Sequence, residues 1–191
     1  MEKIIETERL YFRRFTTKDT GRITYLFNDE EVVKYISLPH PYSEELAKEW
    51  ISHQNENFKK DIVYDFAIVL KEEDRIIGSM SLVNVAKHKR GEIGYTFGRE
   101  YWNKGYATEA LKALIEYAFK VKKMHKVSAS HYKENLASGK AMQNAGMIFE
   151  GILIDHMFAK NQFHDLVFYC KINDLDDLSW KNIEEDDIIK K

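Results

Sequence analysis

Cysteine and proline are almost absent from this sequence. Cys170 is the one cysteine among 191 residues, which excludes an internal disulfide and a zinc site built from several cysteines. Because it lies in the apolar run 166–170, we expect Cys170 to be a buried structural thiol and not a nucleophile. The 2 Pro and 9 Gly exclude collagen-like and low-complexity classes. This composition predicts a reduced, soluble protein of the cytoplasm.

An excess of charge of either sign is also missing. Lys and Arg total 29 and Asp and Glu total 31, which gives a net charge of -2. Such a chain has no global attraction to nucleic acid or to an anionic membrane, so neither is expected as a partner. No apolar run approaches the roughly 18 residues of a membrane span. The first six residues alternate charge with isoleucine, so we do not expect a signal peptide.

Aromatic residues, by contrast, are plentiful. The chain contains 3 Trp, 11 Tyr and 11 Phe, which implies a large core. At roughly 150 residues per domain, its length corresponds to little more than one domain. We expect a single domain over residues 1–173 and an acidic tail over 174–191.

The hydrophobic patterns predict the order of strands and helices. Strands are predicted at 10–15, 66–70, 76–83, 92–97, 127–131, 148–158 and 164–172, and helices at 19–27, after the N-cap Ser43, at 107–121 and at 135–145. Three consecutive strands before the main helix imply antiparallel hairpins, and the strands that flank this helix can pair in parallel through a crossover. The sequence therefore predicts an α/β domain with a mixed sheet.

The stretch 92–110 is the most informative part of the chain. A strand ends there, a loop follows, and the strongest helix begins at Gly105 or just after it. Free N–H groups and the positive end of the helix dipole lie at such a start, and Gly105 lets the backbone approach an anion closely. The loop therefore suits a pyrophosphate, although an ordinary loop fits the same residues. Neither a P-loop nor a Rossmann glycine pattern is present.

Four stretches of the sequence, taken in order, point to one family. They are 7–13, 92–95 with 101–110, 135–138 with 146–151, and 162–167. Together they resemble the GNAT superfamily of acetyl-CoA-dependent N-acetyltransferases, in the branch of the Rim-type ribosomal-protein N-terminal acetyltransferases and the spermidine acetyltransferases. The resemblance implies the GNAT fold, with a mixed sheet of about seven strands flanked by helices. It also implies transfer of acetyl from acetyl-CoA, a cosubstrate, to an amine without a metal.

The resemblance also implies which residues bind the coenzyme. The splayed end of the 92–98 strand would pair with the pantetheine amides, and N–H groups near 96–98 would hold the thioester oxygen. The loop 103–108 would hold the pyrophosphate, and Asn135 the pantetheine arm, although Asn135 and Ser138 also fit a plain helix cap. The implied set is Thr96, Phe97, Gly98, Trp102, Asn103, Lys104, Gly105, Tyr106, Ala107, Thr108, Asn135 and Ser138.

The sequence departs from the family pattern at two informative positions. Asn103 stands where this branch often has glycine, and asparagine is the next-best residue if that position needs a positive φ. Met142 stands where some relatives have a tyrosine that serves as general acid. The resemblance therefore leaves Ser138 as the catalytic group that relays a proton to the leaving thiolate, directly or through water.

Several residues are candidates for the base that receives the proton of the amine. We expect Glu92 to be this catalytic base, acting directly or through water, but a cross-strand ion pair is its alternative role. Asp155 and His156 are second candidates, whereas His131 is expected to be structural. Three aromatic residues could shape the acceptor cleft but are expected to pack in the core: Tyr35, Tyr42 and Trp50.

The acceptor is left open by the sequence. At pH 7 roughly 10–15% of an α-amine is neutral, against about 0.04% of a lysine or polyamine amine, so the second needs a stronger base. A protein N-terminus is the first hypothesis. A small amine (a polyamine, antibiotic or amino acid) and a catalytically silent acyl-CoA-binding module are the alternatives. Either a monomer or a homodimer is expected.

Overall fold

Eight strands form one sheet in the structure, a computed structural model that describes residues 2–174. In chain order they are β1 (Ile5–Glu6), β2 (Leu10–Arg13), β3 (Val63–Leu70), β4 (Arg75–Val85), β5 (Arg90–Phe97), β6 (Lys126–Tyr132), β7 (Ile148–Ala159) and β8 (Gln162–Ile172). Their order across the sheet is β1-β2-β3-β4-β5-β6-β8-β7. The acidic tail expected over 174–191 lies, apart from Asp174, outside the described residues.

Five α-helices accompany the sheet within the same residues: α1 (Thr20–Phe27), α2 (Glu30–Val33), α3 (Glu44–Lys59), α4 (Tyr106–Lys120) and α5 (Leu136–Asn144). All neighbouring strands are antiparallel except β5 and β6, which are parallel and are connected through α4. The predicted mixed sheet is confirmed. The predicted elements did not include β1 and α2, which are too short to show a periodic pattern. No helix of the described range is long and apolar enough to cross a membrane.

The helical spacing of Ala107, Leu111, Leu114, Ala118 and Val121 in the sequence predicts one apolar stripe, and α4 buries most of it. Leu111, Leu114 and Ala118 are completely buried. The prediction is wrong for Val121, which is 59% exposed, because α4 ends at Lys120 and Val121 is only its C-cap. The stripe therefore fixes α4 on the sheet up to its last turn.

The two faces of the sheet carry separate cores. The core on one face includes Leu111 of α4 and Met142 of α5, and we call it the α4–α5 face. The core on the other face includes Ile23 of α1 and Ile51 of α3, and we call it the α1–α3 face. Because side chains alternate along a strand, successive residues of β5 point to different faces.

The aromatic residues that could shape a cleft are packing residues, as expected. Tyr42 is 4% exposed, and the ring of Trp50 packs edge-on against Phe15 with the centroids 4.9 Å apart. Tyr35 packs against Tyr132 with the ring centroids 6.0 Å apart.

Cys170 has the structural role that its sequence context predicts. Its side chain is buried, and burial raises the pKa of the thiol. A thiol of this kind is a poor nucleophile.

The hairpin of β7 and β8 is tied to the opposite part of the chain. Its two-residue turn, Lys160 and Asn161, has φ of 51° and 61°, as a type I′ turn requires. This turn presents the Lys160 ammonium, which donates to the carbonyls of Val33 (2.8 Å) and Lys34 (3.0 Å) at the end of α2. These two hydrogen bonds connect the tip of the hairpin to the end of α2.

One carboxyl group is buried inside the α1–α3 face. Asp65 of β3 is 8% exposed. With its amide oriented to satisfy both neighbours, Gln54 donates to Asp65 Oδ2 (2.6 Å) and accepts from Trp50 Nε1 (2.9 Å). Burial in this apolar surrounding raises the pKa of Asp65 to about 7.

We predict that Asp65→Asn stabilises the protein above neutral pH. Between about pH 4 and 7 the unfolded carboxyl ionises while the folded one stays protonated, so the free energy of unfolding of the wild type falls in this window. Asp65→Asn has no carboxyl to ionise at this position. At pH 8 its free energy of unfolding should therefore exceed that of the wild type by up to roughly 4 kcal/mol, which corresponds to a rise of about three in pKa. Urea unfolding at pH 4 and pH 8 measures the difference.

The exposed Glu72→Gln serves as the control, because it also replaces a carboxyl by an amide, but at the surface, where the change should have little effect on stability. A gap between wild type and Asp65→Asn that is the same at both pH values would contradict the expected ionisation of Asp65.

Candidate active site

Strands β5 and β6 run together over only part of their length. They pair from Arg90 with Lys126 to Ile93 with Ala129. Beyond this point β5 continues to Phe97 paired with β4, and β6 continues to Tyr132 paired with β8. The edge of β5 over 94–97 is therefore left without a strand partner on the β6 side, and we call this gap the opening.

The register between β4 and β5 decides which amides of β5 face the opening. The N–H of Gly98 donates to the Ile77 carbonyl of β4 (2.9 Å), whereas the Phe97 carbonyl accepts from Trp102 Nε1 (2.7 Å) on the other side. The direction of the backbone N–H groups alternates along an antiparallel strand. The N–H groups of Tyr95 and Phe97 therefore point into the opening. The expected set of oxyanion donors is therefore corrected: the amides of Gly98 and Thr96 point to β4.

The loop before α4 has the conformation that its residue types suggest. Asn103 has φ of 59° and Gly105 has φ of 79°. The positive φ at Asn103 agrees with the expectation for an asparagine in place of glycine. Gly105 is the N-cap of α4 and makes no side-chain cap. The N–H groups of 106–108 belong to the first turn, which has no intrahelical acceptors for them.

Distant residues hold this helix start in place. One carboxylate, that of Glu109, accepts from Thr7 Oγ1 (2.6 Å), from the Arg9 N–H (2.9 Å) and from Arg9 Nε (2.6 Å). Arg9 Nη1 also donates to the Lys104 carbonyl (3.0 Å), and its guanidinium lies 4.5 Å from the centre of the Tyr106 ring. The segment 7–13 contributes to the family resemblance, but its connection with Glu109 emerges only from the fold.

The remaining loop residues surround the same end of the opening. Trp102 is 40% exposed and is fixed by its bond to the Phe97 carbonyl. Lys104 is exposed, with its ammonium 5.8 Å from the centre of the Tyr101 ring. Because Arg9 is already paired with Glu109, Lys104 is the residue that adds positive charge at this end of the opening.

The start of α5 lies across the opening from β5. Asn135 is its N-cap, and Asn135 Oδ1 accepts from the Ser138 N–H at 3.2 Å. In the part of the chain that the structure describes, the Nδ2 of Asn135 makes no hydrogen bond, so it can still donate to a ligand. The capping role and the binding role expected for Asn135 are thus compatible.

Ser138 contacts a residue that the sequence alone did not assign to the site. The hydroxyl of Tyr95 lies 2.6 Å from Ser138 Oγ and 2.9 Å from the Ser138 carbonyl. Burial raises the pKa of Tyr95 to about 12, so the phenol is protonated at neutral pH. Tyr95 belongs to the stretch 92–95 that carries the resemblance, but its partner on α5 could not be known without the fold.

Glu92 lies on the α1–α3 face of β5, together with Gly94 and Thr96. Glu92 and Gly94 are exposed, which leaves this face of β5 accessible. Glu92 Oε1 accepts from Arg90 Nη2 at 3.0 Å. An ion pair is thus present, but it joins residues two apart on one strand and not on two strands. Both groups are about half exposed, so the pair is weak and leaves the carboxylate available.

The second base candidates lie further away. Asp155 and His156 belong to β7, and two strands separate β7 from β5. Asp155 has φ of 48°, and its N–H donates to Asp165 Oδ1 (3.0 Å). The ring of His156 packs edge-on against Phe168. Neither residue is brought next to Glu92.

His131 has a structural environment, as expected. It is 8% exposed, its Nδ1 lies 2.7 Å from the Tyr132 carbonyl, and its ring stacks with Tyr169. Within residues 2–174, no group of three or more His, Cys, Asp or Glu side chains could hold a metal ion.

Comparison with known proteins points to one family. A family model described as "Acetyltransferase (GNAT) domain" matches residues 9–148. The Bacillus subtilis (strain 168) protein named "Uncharacterized N-acetyltransferase YnaD" is 34% identical over 166 residues, which are 87% of this chain and 95% of that protein.

Two solved structures share the fold. The ribosomal-protein-S5-alanine acetyltransferase from Vibrio fischeri is 26% identical with a TM-score of 0.80, and the match covers 88% of this chain and 96% of that one. RimL, an alpha-N-protein acetyltransferase in complex with Coenzyme A, has a TM-score of 0.82 over 92% of this chain and 100% of its own. Its identity is 18%, so this likeness shows the fold alone. Because the family match spans the opening, the start of α4 and the start of α5, the chain belongs to the GNAT acetyltransferase family and is an N-acetyltransferase.

Proposed function

We propose that this enzyme transfers acetyl from acetyl-CoA to a protein N-terminal α-amine by direct attack in a ternary complex. The observation that carries the proposal is the opening between β5 and β6: the edge of β5 over 94–97 has no strand partner there, and the loop that follows it ends at the N-terminus of α4. An extended amide-bearing arm can pair with the free edge of β5, as an added strand does. A diphosphate can accept from the amides of the first turn of α4.

The residues around the opening can be given roles in binding acetyl-CoA. The amides of Tyr95 and Phe97 would pair with the pantetheine arm and hold the thioester oxygen, where negative charge develops. The Nδ2 of Asn135 would donate to the same arm. The pyrophosphate would lie against the loop of Asn103, Lys104, Gly105, Tyr106, Ala107 and Thr108, with Trp102 beside it.

The reaction forms a C–N bond and breaks a C–S bond. The neutral amine attacks the thioester carbon, and the electron pair of the C–S bond leaves on sulfur. The proton lost by nitrogen goes to Glu92, directly or through water. Ser138 donates a hydrogen bond to the departing thiolate. The thiolate then takes up a proton from solvent to become the free thiol, and Glu92 returns its proton to solvent.

The carboxylates of the α1–α3 face support an α-amine as acceptor. Glu92 forms a weak, half-exposed ion pair with Arg90, and Asp65 is buried behind Gln54 and Trp50. An α-amine, with an ordinary pKa near 7.8, is partly neutral at pH 7 and needs little help from one exposed carboxylate, whereas an amine near 10.4 is almost entirely protonated. The Vibrio fischeri relative, a ribosomal-protein-S5-alanine acetyltransferase, points the same way.

A panel of acceptors tests the proposed function. With acetyl-CoA, we expect thiol release on peptides that have a free α-amine. Release should be much weaker on the same peptides with a blocked N-terminus and an internal lysine, and on spermidine. Faster release on spermidine would favour a small-amine enzyme. Acetyl-CoA binding without release on any acceptor would instead support a silent acyl-CoA-binding module.

We predict that Gly105→Glu removes most of the affinity for acetyl-CoA. The new carboxylate would repel the diphosphate, and the positive φ of 79° disfavours any side chain at this position. Calorimetry should show binding that is weaker by on the order of 100-fold or more. Gly105→Ala is the matched control for backbone strain, because it adds a Cβ without charge. Equal affinity of wild type and a folded Gly105→Glu variant would remove the loop from the binding site.

We also predict that Glu92→Gln lowers kcat by on the order of 100-fold and shifts its pH profile, because a general base is lost. The affinity for acetyl-CoA should change little, since Glu92 lies on the other face of β5. Glu116→Gln, which also removes an exposed ion-paired carboxylate, is the matched control. If the pH profile of Glu92→Gln matches that of the wild type, Glu92 is not the base.

A further inference from the structure

Some relatives use a tyrosine of the helix that corresponds to α5 as general acid, and this protein has no tyrosine at that position. Met142, which stands at that position, is completely buried in the core of the α4–α5 face, and its side chain has no acidic proton. The hydroxyl of a tyrosine on β5 nevertheless lies at the start of α5. It belongs to Tyr95, whose hydroxyl contacts both oxygens of Ser138.

Two hydroxyl protons are available to the three oxygen atoms of this contact. Tyr95 and Ser138 have one hydroxyl proton each, and the Ser138 carbonyl has none. If Tyr95 donates to the carbonyl, at 2.9 Å, Ser138 must donate back to Tyr95 at 2.6 Å, and both protons are used inside the pair. If Tyr95 donates to Ser138 Oγ instead, the serine proton is free to point elsewhere. An anion in the opening favours the second arrangement, because only that one offers it a donor.

We propose that Tyr95 is a positioning residue for the leaving group: it donates to Ser138 Oγ and so directs the serine proton to the departing thiolate. This inference rests on the proposed function. In the step, the C–S bond breaks and its electron pair goes to sulfur, which accepts a hydrogen bond from Ser138. The proton that the amine loses goes to the base on the other face, so Tyr95 keeps its own proton.

The surroundings of Tyr95 favour a fixed donor. The ring lies against Phe97 with the centroids 6.4 Å apart, and the residue continues the buried side of β5 that starts with Ile93. Burial keeps the phenol protonated, since its pKa lies about two units above the ordinary value. A hydrogen bond to a charged group is stronger than one between neutral groups, so the alignment of one serine proton can matter for the rate.

The variants Tyr95→Phe, Ser138→Ala and the double variant test the proposal. We expect Tyr95→Phe to lower kcat roughly 10- to 100-fold with little change in the calorimetric affinity for acetyl-CoA. In the Ser138→Ala background, the same tyrosine change should have almost no further effect, because Tyr95 acts only through Oγ. If Tyr95 merely holds the first turn of α5 through the Ser138 carbonyl, Tyr95→Phe should lower kcat as much in the Ser138→Ala background as in the wild type. That result would overturn the proposal.

A better leaving group gives an independent readout. A selenol is more acidic than a thiol and needs less help to depart, so acetyl-seleno-CoA should reduce the defect of Tyr95→Phe. An equal defect with both donors would contradict a role at the leaving group. Tyr11→Phe is the matched control, because it removes another phenol that donates to a side chain, here Asp74, far from α5.

The activity of the wild type distinguishes a failure of the proposed function from a failure of the role of Tyr95. If it binds acetyl-CoA but releases no thiol with any amine, the proposed function fails. If it is active and Tyr95→Phe has wild-type kcat, only the role of Tyr95 is overturned.

Discussion

The divergence of β5 from β6 is the constraint on which the rest of the site depends. A crossover through α4 makes the two strands parallel, but they pair only up to Ile93 and Ala129. Backbone amides must have partners, and the free edge of β5 can obtain them from water or from an extended ligand. The starts of α4 and α5 lie at this gap because each helix follows one of the two diverging strands. Coenzyme binding therefore follows from strand topology more than from any one side chain.

The end of the opening at α4 is held by contacts between residues about one hundred positions apart. Glu109 collects hydrogen bonds from Thr7 and from two groups of Arg9. Burial acts against ionisation, but these bonds outweigh it and lower the pKa of the Glu109 carboxyl. One partly exposed ion pair contributes little to stability, whereas three donors on one carboxylate fix its geometry. The consequence is a preorganised helix start whose amides do not have to be ordered when a diphosphate arrives.

Local patterns in the sequence are sufficient for part of this picture. The apolar spacing of α4, the turn at Lys160 and the tolerance of Asn103 for positive φ are properties of short segments, and they could be predicted. The direction of the β5 amides could not be predicted, because it depends on the register with β4, which the sequence does not show and the structure does. The contact of Tyr95 with Ser138 spans 43 residues and has no local signal. β1 and α2 are too short to show a periodic pattern of apolar residues, so they could not be predicted either.

In the proposed reaction, the alternation of side chains along β5 would separate the attacking amine from the leaving group. Glu92, Gly94 and Thr96 point to the α1–α3 face, where an amine has access, while Ile93, Tyr95 and Phe97 point to the α4–α5 face. One strand thus offers a base candidate to the nucleophile on one side and a phenol to the leaving group on the other. A shift of β5 by one residue would exchange these faces and bury Glu92 in the core. The apolar residues at odd positions therefore determine the register, and with it the chemistry of both faces.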